Sequence, residues 1–185
     1  MSEEAAPPTV LIAWRHPRPR GAEGRCIGAR TDLPVDPRKA KRLAHRIRRT
    51  ARREGLPREV AVSPLRRCRD VGRWLRRWGF KCVVDARLIE CDFGRWDGRR
   101  WDDIAREEID AWAADLHDYR PGGGESVAML LERVRAVLRD APAGLLVTHG
   151  GWVSGWIWLR DAGAVRATAS DWPAAPRWGV AVRLK

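Results

Sequence analysis

Short apolar runs and amphipathic stretches alternate along the chain. Residues 10–14, Val-Leu-Ile-Ala-Trp, end directly on Arg15-His16-Pro17, and residues 145–148, Leu-Leu-Val-Thr, end directly on His149-Gly150-Gly151. Runs this short, bounded by turn-forming residues, predict buried strands. Between them Asp36-Pro37 supplies a side-chain cap and a proline at the first helical position, and Leu43, Ile47 and Ala51 recur at helical spacing up to Gly55. Val60-Ala61-Val62 predicts a strand ending at Ser63-Pro64, and Val71, Trp74, Leu75 and Trp78 mark a second helix that stops at Gly79. Residues 82–84 predict a third strand, 88–92 a loop leading to Phe93-Gly94, and 101–116 one or two short helices. Pro121-Gly122-Gly123-Gly124 is a flexible connection, after which Glu125-Ser126 open a helix with Val127, Leu130, Leu131, Val134 and Leu138 on one face. A helix over about 152–159, a Pro-rich stretch and a final strand over about 178–184 complete the pattern.

Repeated strand-helix units predict a mostly parallel central sheet covered by helices on both faces, a three-layer α/β/α sandwich. At 185 residues the chain has the size of one domain, expected over 9–185, with residues 1–8 as a disordered tail. In such a sheet ligands bind at the carboxyl ends of the strands, so His16 and His149, far apart in sequence, are expected to face one pocket.

Composition narrows the function classes. The chain is 44% hydrophobic and 32% charged, as in ordinary globular proteins. No apolar run approaches the roughly 20 residues that span a bilayer. Residues 1–9 carry Glu3, Glu4 and Pro7-Pro8 rather than a basic, then apolar, leader, so no membrane association and a cytoplasmic location are expected. Cys26, Cys68, Cys82 and Cys91 stand singly, without zinc-ligand spacing, and are expected as free thiols with no metal.

The net charge of +12 invites a nucleic-acid reading, with the basic stretch 38–53 as its contact surface. Against it, the basic residues are nearly all Arg and the chain contains no Asn or Gln, a bias across its whole length. The basic helix is therefore read as a solvated face, nucleic acid is not expected as a partner, and steering of an anionic substrate is the third possibility. The Trp-rich stretch 152–158 is expected to be buried packing, with a homodimer contact left open.

Arg15, His16 and His149, brought to one strand edge with residues from the other strand ends, Ser63 to Arg67 after the second strand and Glu90 in the loop before Phe93, make a set suited to phosphoryl transfer without a metal. A neutral imidazole attacks phosphorus, guanidinium groups and a second histidine neutralise the equatorial oxygens, and a carboxylic acid protonates the leaving alkoxide.

These residues carry a resemblance. Arg15-His16, Ser63-Pro64-Leu65-Arg66-Arg67, the stretch Leu88-Ile89-Glu90-Cys91-Asp92-Phe93-Gly94-Arg95-Trp96-Asp97-Gly98, Gly124-Glu125-Ser126 and Thr148-His149-Gly150-Gly151 are similar, in order, to the motifs of the histidine phosphatase superfamily, whose fold is phosphoglycerate-mutase-like. The resemblance implies His16 as nucleophile, Arg15, Arg67 and His149 on the phosphoryl oxygens, and Glu90 as proton donor. It further implies Glu125, Ser126 and Gly150 as substrate contacts, and Arg18, Arg20 or Arg30 is expected to stand in for the phosphate-contacting Thr and Asn that the family has after its first motif.

A histidine followed by proline, with Cys26-Ile27-Gly28 and Thr31-Asp32-Leu33-Pro34, resembles the branch of α-ribazole phosphatases of cobalamin synthesis. The expected function is thus a metal-independent phosphomonoesterase acting on a small phosphate ester. The alternatives are a mutase or sugar-bisphosphate phosphatase and, from another class, a nucleic-acid-binding or scaffold protein with little activity. The chain departs from the family at Pro17, where the family has glycine, at the absent Thr and Asn after it, and at Ala29, an apparent insertion.

Overall fold

The computed structural model describes residues 10–141, 143–163 and 165–184; the tail expected over 1–8 lies outside them. Five strands form one sheet in the order β3-β2-β4-β1-β5: β1 (Ile12–Arg15), β2 (Glu59–Val62), β3 (Lys81–Val84), β4 (Leu145–Thr148) and β5 (Ala181–Arg183). The first four are parallel, and only β5 runs antiparallel, against β1. α1 (Pro37–Arg53) and α2 (Arg66–Arg77) cover one face, and α4 (Val127–Arg139) and α5 (Gly150–Ala162) the other.

The period-2 alternation of the strands builds both faces at once. Ile12, Trp14, Val60, Val62, Leu145 and Val147 enter the core under α1 and α2, whereas Leu11, Ala13, Ala61 and Leu146 enter the core under α4 and α5. The α1 start is as expected: the Asp36 carboxylate accepts from the amides of Arg38 and Lys39, and Pro37 sits where no amide is needed. Ser126 caps α4 by accepting from the Met129 amide. The helix expected from about 152 begins at Gly150, and the last strand is shorter than expected, three residues rather than seven. Near the end of α4 the buried position is Val137, with Leu138 partly buried at its edge.

Strand order creates the crevice. β1 and β4 are neighbours, yet the chain leaves β1 toward β2 and leaves β4 toward β5, in opposite directions along the sheet. Connections that diverge between adjacent parallel strands leave an open site at their carboxyl ends. Arg15 pairs with Thr148 there, and the His16 amide donates to the Thr148 carbonyl at 3.0 Å, so the two histidines emerge side by side.

The segment 101–114, a short 3-10 turn followed by α3 (Arg106–Ala114), lies outside the sheet and packs through Trp112 against Phe93, Trp96 and Trp101. Trp152, Trp156 and Trp158 are buried, and all four cysteines are free. Among the described residues no helix is long and apolar enough to cross a membrane.

Candidate active site

The sheet edge brings His16 and His149 to 4.9 Å between ring centroids, edge to face, both essentially inaccessible to solvent. His16 Nδ1 lies 2.7 Å from the Pro17 carbonyl oxygen. A carbonyl only accepts, so Nδ1 carries the proton and Nε2 keeps its lone pair. Burial first, then the charges of Arg67 and Arg15, hold the His16 pKa well below the usual histidine value, even against the Pro17 hydrogen bond. The ring is a neutral imidazole with one nitrogen available for attack.

Arg67 enters from the first turn of α2 and is buried. Its guanidinium donates to the carbonyls of Thr31 at 2.7 Å and Gly28 at 2.8 Å, and its Nε–H to His149 Nδ1 at 3.2 Å. The segment 26–32, which contains Ala29, therefore grips Arg67. A side chain at Gly28 is excluded because its Cβ would lie 2.5 Å from the Cys91 carbonyl oxygen. His149 accepts from Arg67 at Nδ1, so its Nε2 holds the proton and donates to Ser63 Oγ at 2.7 Å. Direct donation from His149 to a phosphoryl oxygen thus requires the proton to move to Nδ1 and Arg67 to let go. In the structure as it stands His149 orients Arg67 and buttresses His16. Its pKa too is well below the usual value, through burial and the neighbouring Arg67.

Cys68 Sγ lies 3.5 Å from His149 Nε2, but that nitrogen carries its own proton and is no base for the thiol. Burial pushes this thiol far up and the sulfur donates to the Thr148 carbonyl, so no thiolate forms there.

Arg15 approaches His16 from the other side. One guanidinium nitrogen donates to the Pro176 carbonyl at 2.7 Å, and the guanidinium carbon lies 3.3 Å over the Trp178 ring. Its Nε is buried with no hydrogen-bond partner, a donor that an anion's oxygen would satisfy. Gly150 is what lets Arg15 pass: a Cβ there would sit 2.9 Å from the guanidinium carbon.

Glu90 completes the set. Its carboxylate accepts from the Cys91 amide at 3.1 Å and from the Gly151 amide at 3.3 Å, and its charge is felt by Arg15. The loop that carries it is pinned from several directions. Thr148 Oγ1 donates to the Leu88 carbonyl, Trp152 Nε1 to the Arg87 carbonyl, and Arg133 to the carbonyls of Arg87 and Ile89. A cavity of about 250 Å³ opens on the far side of Glu90, bordered by Ala29, Asp92, Arg120 and Met129.

The further substrate contacts expected from the sequence are engaged elsewhere. Arg18 pairs with Glu23, Arg20 with Asp36 and Arg30, bidentately, with Asp92. The cations that bear on His16 are Arg15 and Arg67 instead. Glu125 forms a two-pronged pair with Arg133 and exchanges hydrogen bonds with the backbone of Asp92, so it serves the Glu90 loop, while Ser126 caps α4. Sequence reasoning missed Arg133, which sits on the polar edge of an ordinary amphipathic helix. It also missed Trp178, whose ring centroid is 5.0 Å from that of His16 and which is 40% exposed; only its place after a Pro-rich stretch marked it. No group of three or more His, Cys, Asp or Glu among the described residues is arranged to hold a metal ion.

Residues 11–163 match the histidine phosphatase superfamily (branch 1). A probable phosphoglycerate mutase of Klebsiella pneumoniae is 32% identical over 147 residues, 74% of this chain and 67% of that protein. A bifunctional protein of Mycobacterium tuberculosis is 31% identical over 131 residues, 69% of this chain; the match spans only 36% of the mycobacterial protein. The crystal structure of a phosphoglycerate mutase from Thermus thermophilus superposes with a TM-score of 0.69 at 28% identity, over 95% of this chain and 92% of that one. A mycobacterial glucosyl-3-phosphoglycerate phosphatase shares the fold at a TM-score of 0.73 and 22% identity, over 94% and 90%.

Proposed function

Because the chain belongs to the histidine phosphatase superfamily, we propose that it is a phosphomonoesterase that works through a phosphohistidine on His16, drawing its charge neutralisation from guanidinium groups rather than from a metal. The observation that carries this reading is the state of His16: buried, neutral, its Nδ1–H spent on Pro17, its Nε2 free and flanked by Arg15 and Arg67.

In the first step the Nε2 lone pair forms a bond to phosphorus while the bond from phosphorus to the ester oxygen breaks. Glu90, as the carboxylic acid, gives its proton to the departing alkoxide. In the second, the Glu90 carboxylate takes a proton from water, whose oxygen attacks phosphorus; the N–P bond breaks, releasing inorganic phosphate and neutral His16. The Arg15 Nε–H and the Arg67 guanidinium hold charge that spreads over the equatorial oxygens. The domain spans 9–185, and the protein acts on a small phosphate ester in the cytoplasm.

For the ester, we propose α-ribazole 5′-phosphate of cobalamin synthesis. The segments Cys26-Ile27-Gly28 and Thr31-Asp32-Leu33-Pro34 support it, as does Trp178, an exposed ring beside the nucleophile that offers an aromatic leaving group a stacking surface. Transfer of phosphate within one substrate is the second reading, because the Klebsiella pneumoniae and Thermus thermophilus relatives carry the name phosphoglycerate mutase.

The test is phosphate release from α-ribazole 5′-phosphate, 3-phosphoglycerate and a nitrophenyl phosphate, in chelator, beside His16→Ala. Turnover that survives chelation and vanishes in the variant is expected. Activity that persists in His16→Ala sinks the mechanism, and interconversion of phosphoglycerates without phosphate release moves the second reading to the front.

A further inference from the structure

The positive charge of this chain is concentrated on one face. α1 carries nine basic residues and no acid, and α2 six and one, with Arg67 of the six turned inward to the active site; of totals of 36 and 24, the rest of the chain holds 21 basic and 23 acidic residues. A coding bias toward arginine adds cations everywhere, but it does not select one layer of the fold.

Many arginines outside α1 sit beside carboxylates: Arg87 with Asp85 and Asp140, Arg166 with Asp115 and Asp118, and on α2 Arg69 with Asp32 and Arg73 with Asp70. On α1 all nine cations are exposed, and among the described residues only Arg53 has an acidic partner, Glu54. Arg38, Arg42 and Arg46 follow one another at i, i+4 along the helix, a like-charge spacing that destabilises it until a polyanion lies across it.

The face is continuous and grooved. His45 of α1 stacks on Trp78 of α2 at 4.2 Å, joining the two helices. A cavity of about 480 Å³ lies among His45, Arg48, Arg52 and Arg58, and two of about 330 Å³ lie beside Arg46 and Arg53 and beside Arg73 and Arg77. All three are rimmed by guanidinium groups.

We propose that the α1/α2 face binds the phosphodiester backbone of a duplex nucleic acid, without reading its bases. This stands on the face itself and not on the phosphatase reading. The 17 residues of α1 make a straight cationic stripe of about 25 Å, suited to a rigid duplex. Single-strand binding needs free aromatic platforms. Here Trp14 is buried, and Trp74 and Trp78 lie under Lys41, Arg77 and Arg48. A membrane surface is disfavoured because an interfacial helix must insert apolar residues, and the apolar side of α1 is used up in the core. A protein partner needs an apolar interface core, and no large exposed hydrophobic residue lies on α1 or α2.

The test compares two triple variants of the full chain with equal net charge. Arg42, Arg49 and Arg52→Gln lie on the face; Arg106, Arg139 and Arg160→Gln lie on α3, α4 and α5. Binding of unrelated-sequence DNA and RNA duplexes of about 20 bp is followed by anisotropy between about 50 and 200 mM salt. The wild type and the second triple should bind with the same steep salt dependence. The first should lose at least tenfold in affinity and lower the log–log salt slope by about 2 to 3. Nitrophenyl phosphate turnover should be the same in all three. The tighter-bound duplex tells DNA from RNA. Equal losses in both triples, no binding at the lowest salt, or tighter binding to anionic vesicles or polyglutamate than to either duplex overturns the proposal.

Discussion

The Nε–H of Arg67 meets Nδ1 of His149 at 3.2 Å, and this contact sets the tautomer of the second histidine. With Nδ1 accepting, the proton sits on Nε2 and is spent on Ser63, so arginine, histidine and serine form one oriented chain beneath His16. Arg67→Lys keeps the charge but cannot reach the Gly28 and Thr31 carbonyls and His149 at once. By analogy with the loss of a single oxyanion donor, kcat/KM for a phosphate ester is expected to fall by about 10²- to 10³-fold. Steady-state kinetics alongside a thermal melt separates this from unfolding, and a change smaller than about threefold would remove Arg67 from the phosphate site.

Glu90 is held by the amides of Cys91 and Gly151, at the end of a loop fastened to β4, α4 and α5. Glu90→Gln keeps the size of the side chain and removes its proton. The first step should slow strongly for alkyl phosphates and little for nitrophenyl phosphate, whose leaving group departs unprotonated. A series of aryl phosphates of graded leaving-group pKa reads this as a steeper dependence in the variant; parallel lines for variant and wild type would take the acid role away from Glu90.

Both pocket histidines have pKa values depressed chiefly by burial. Unfolding exposes them, and they then take protons near pH 6.5 that the native state refuses. The unfolded state binds more protons below that pH, so stability is full above it and falls as the solution is acidified, by up to about 1.4 kcal/mol per pH unit for each histidine. Urea denaturation at pH 7.5, 6.5 and 5.5 should show this loss, and His16→Asn should lessen it. Identical pH slopes in variant and wild type would mean that His16 protonates as readily folded as unfolded. The same depression keeps the nucleophile unprotonated, so the acid limb of kcat/KM should lie below pH 6.5.

Gly94 has φ +56°, and a Cβ on it would stand 2.2 Å from the Gly122 carbonyl oxygen; a Cβ on Gly124 would stand 2.0 Å from that of Asp92. Backbone packs on backbone here, tying the Glu90 loop to the start of α4. Gly94→Ala therefore forces the two segments apart and should cost about 2 to 4 kcal/mol of stability, measured by denaturant titration. Because the separation moves Asp92 and with it the loop, activity should fall below what the unfolded fraction explains.

The parallel sheet and the strand edge that brings His16 and His149 together were legible because burial on both faces writes itself as short apolar runs, and two of those runs end directly before these histidines. Asp36-Pro37 and Ser126 were legible for the same local reason, since caps act on amides two or three residues away. The pairing of Arg18, Arg20 and Arg30 with Glu23, Asp36 and Asp92 was not legible, because local sequence does not say which carboxylate a flexible guanidinium finds. Glu125 was placed on the substrate, but Arg133, eight residues on, turns it toward the Glu90 loop. Trp178 reaches His16 only because β5 pairs with β1, a relation between chain ends that periodicity does not carry.

Trp178 is accordingly the residue whose removal tells most about how the site handles its substrate. Its ring supports the Arg15 guanidinium at 3.3 Å and stands beside His16 with 40% of its surface open. A cation–π contact of this kind is worth about 0.5–2 kcal/mol, so Trp178→Ala should weaken binding of inorganic phosphate as a product inhibitor by about 2- to 30-fold. Trp178→Phe keeps a π face and should recover most of that. If the ring also stacks on the leaving group, KM should rise further for aromatic esters than for glycerol phosphate in the alanine variant, with kcat changing less than KM in each case. Equal KM changes for both esters would leave Trp178 as a support for Arg15 alone, and no change in phosphate inhibition would show that Arg15 holds its position without it.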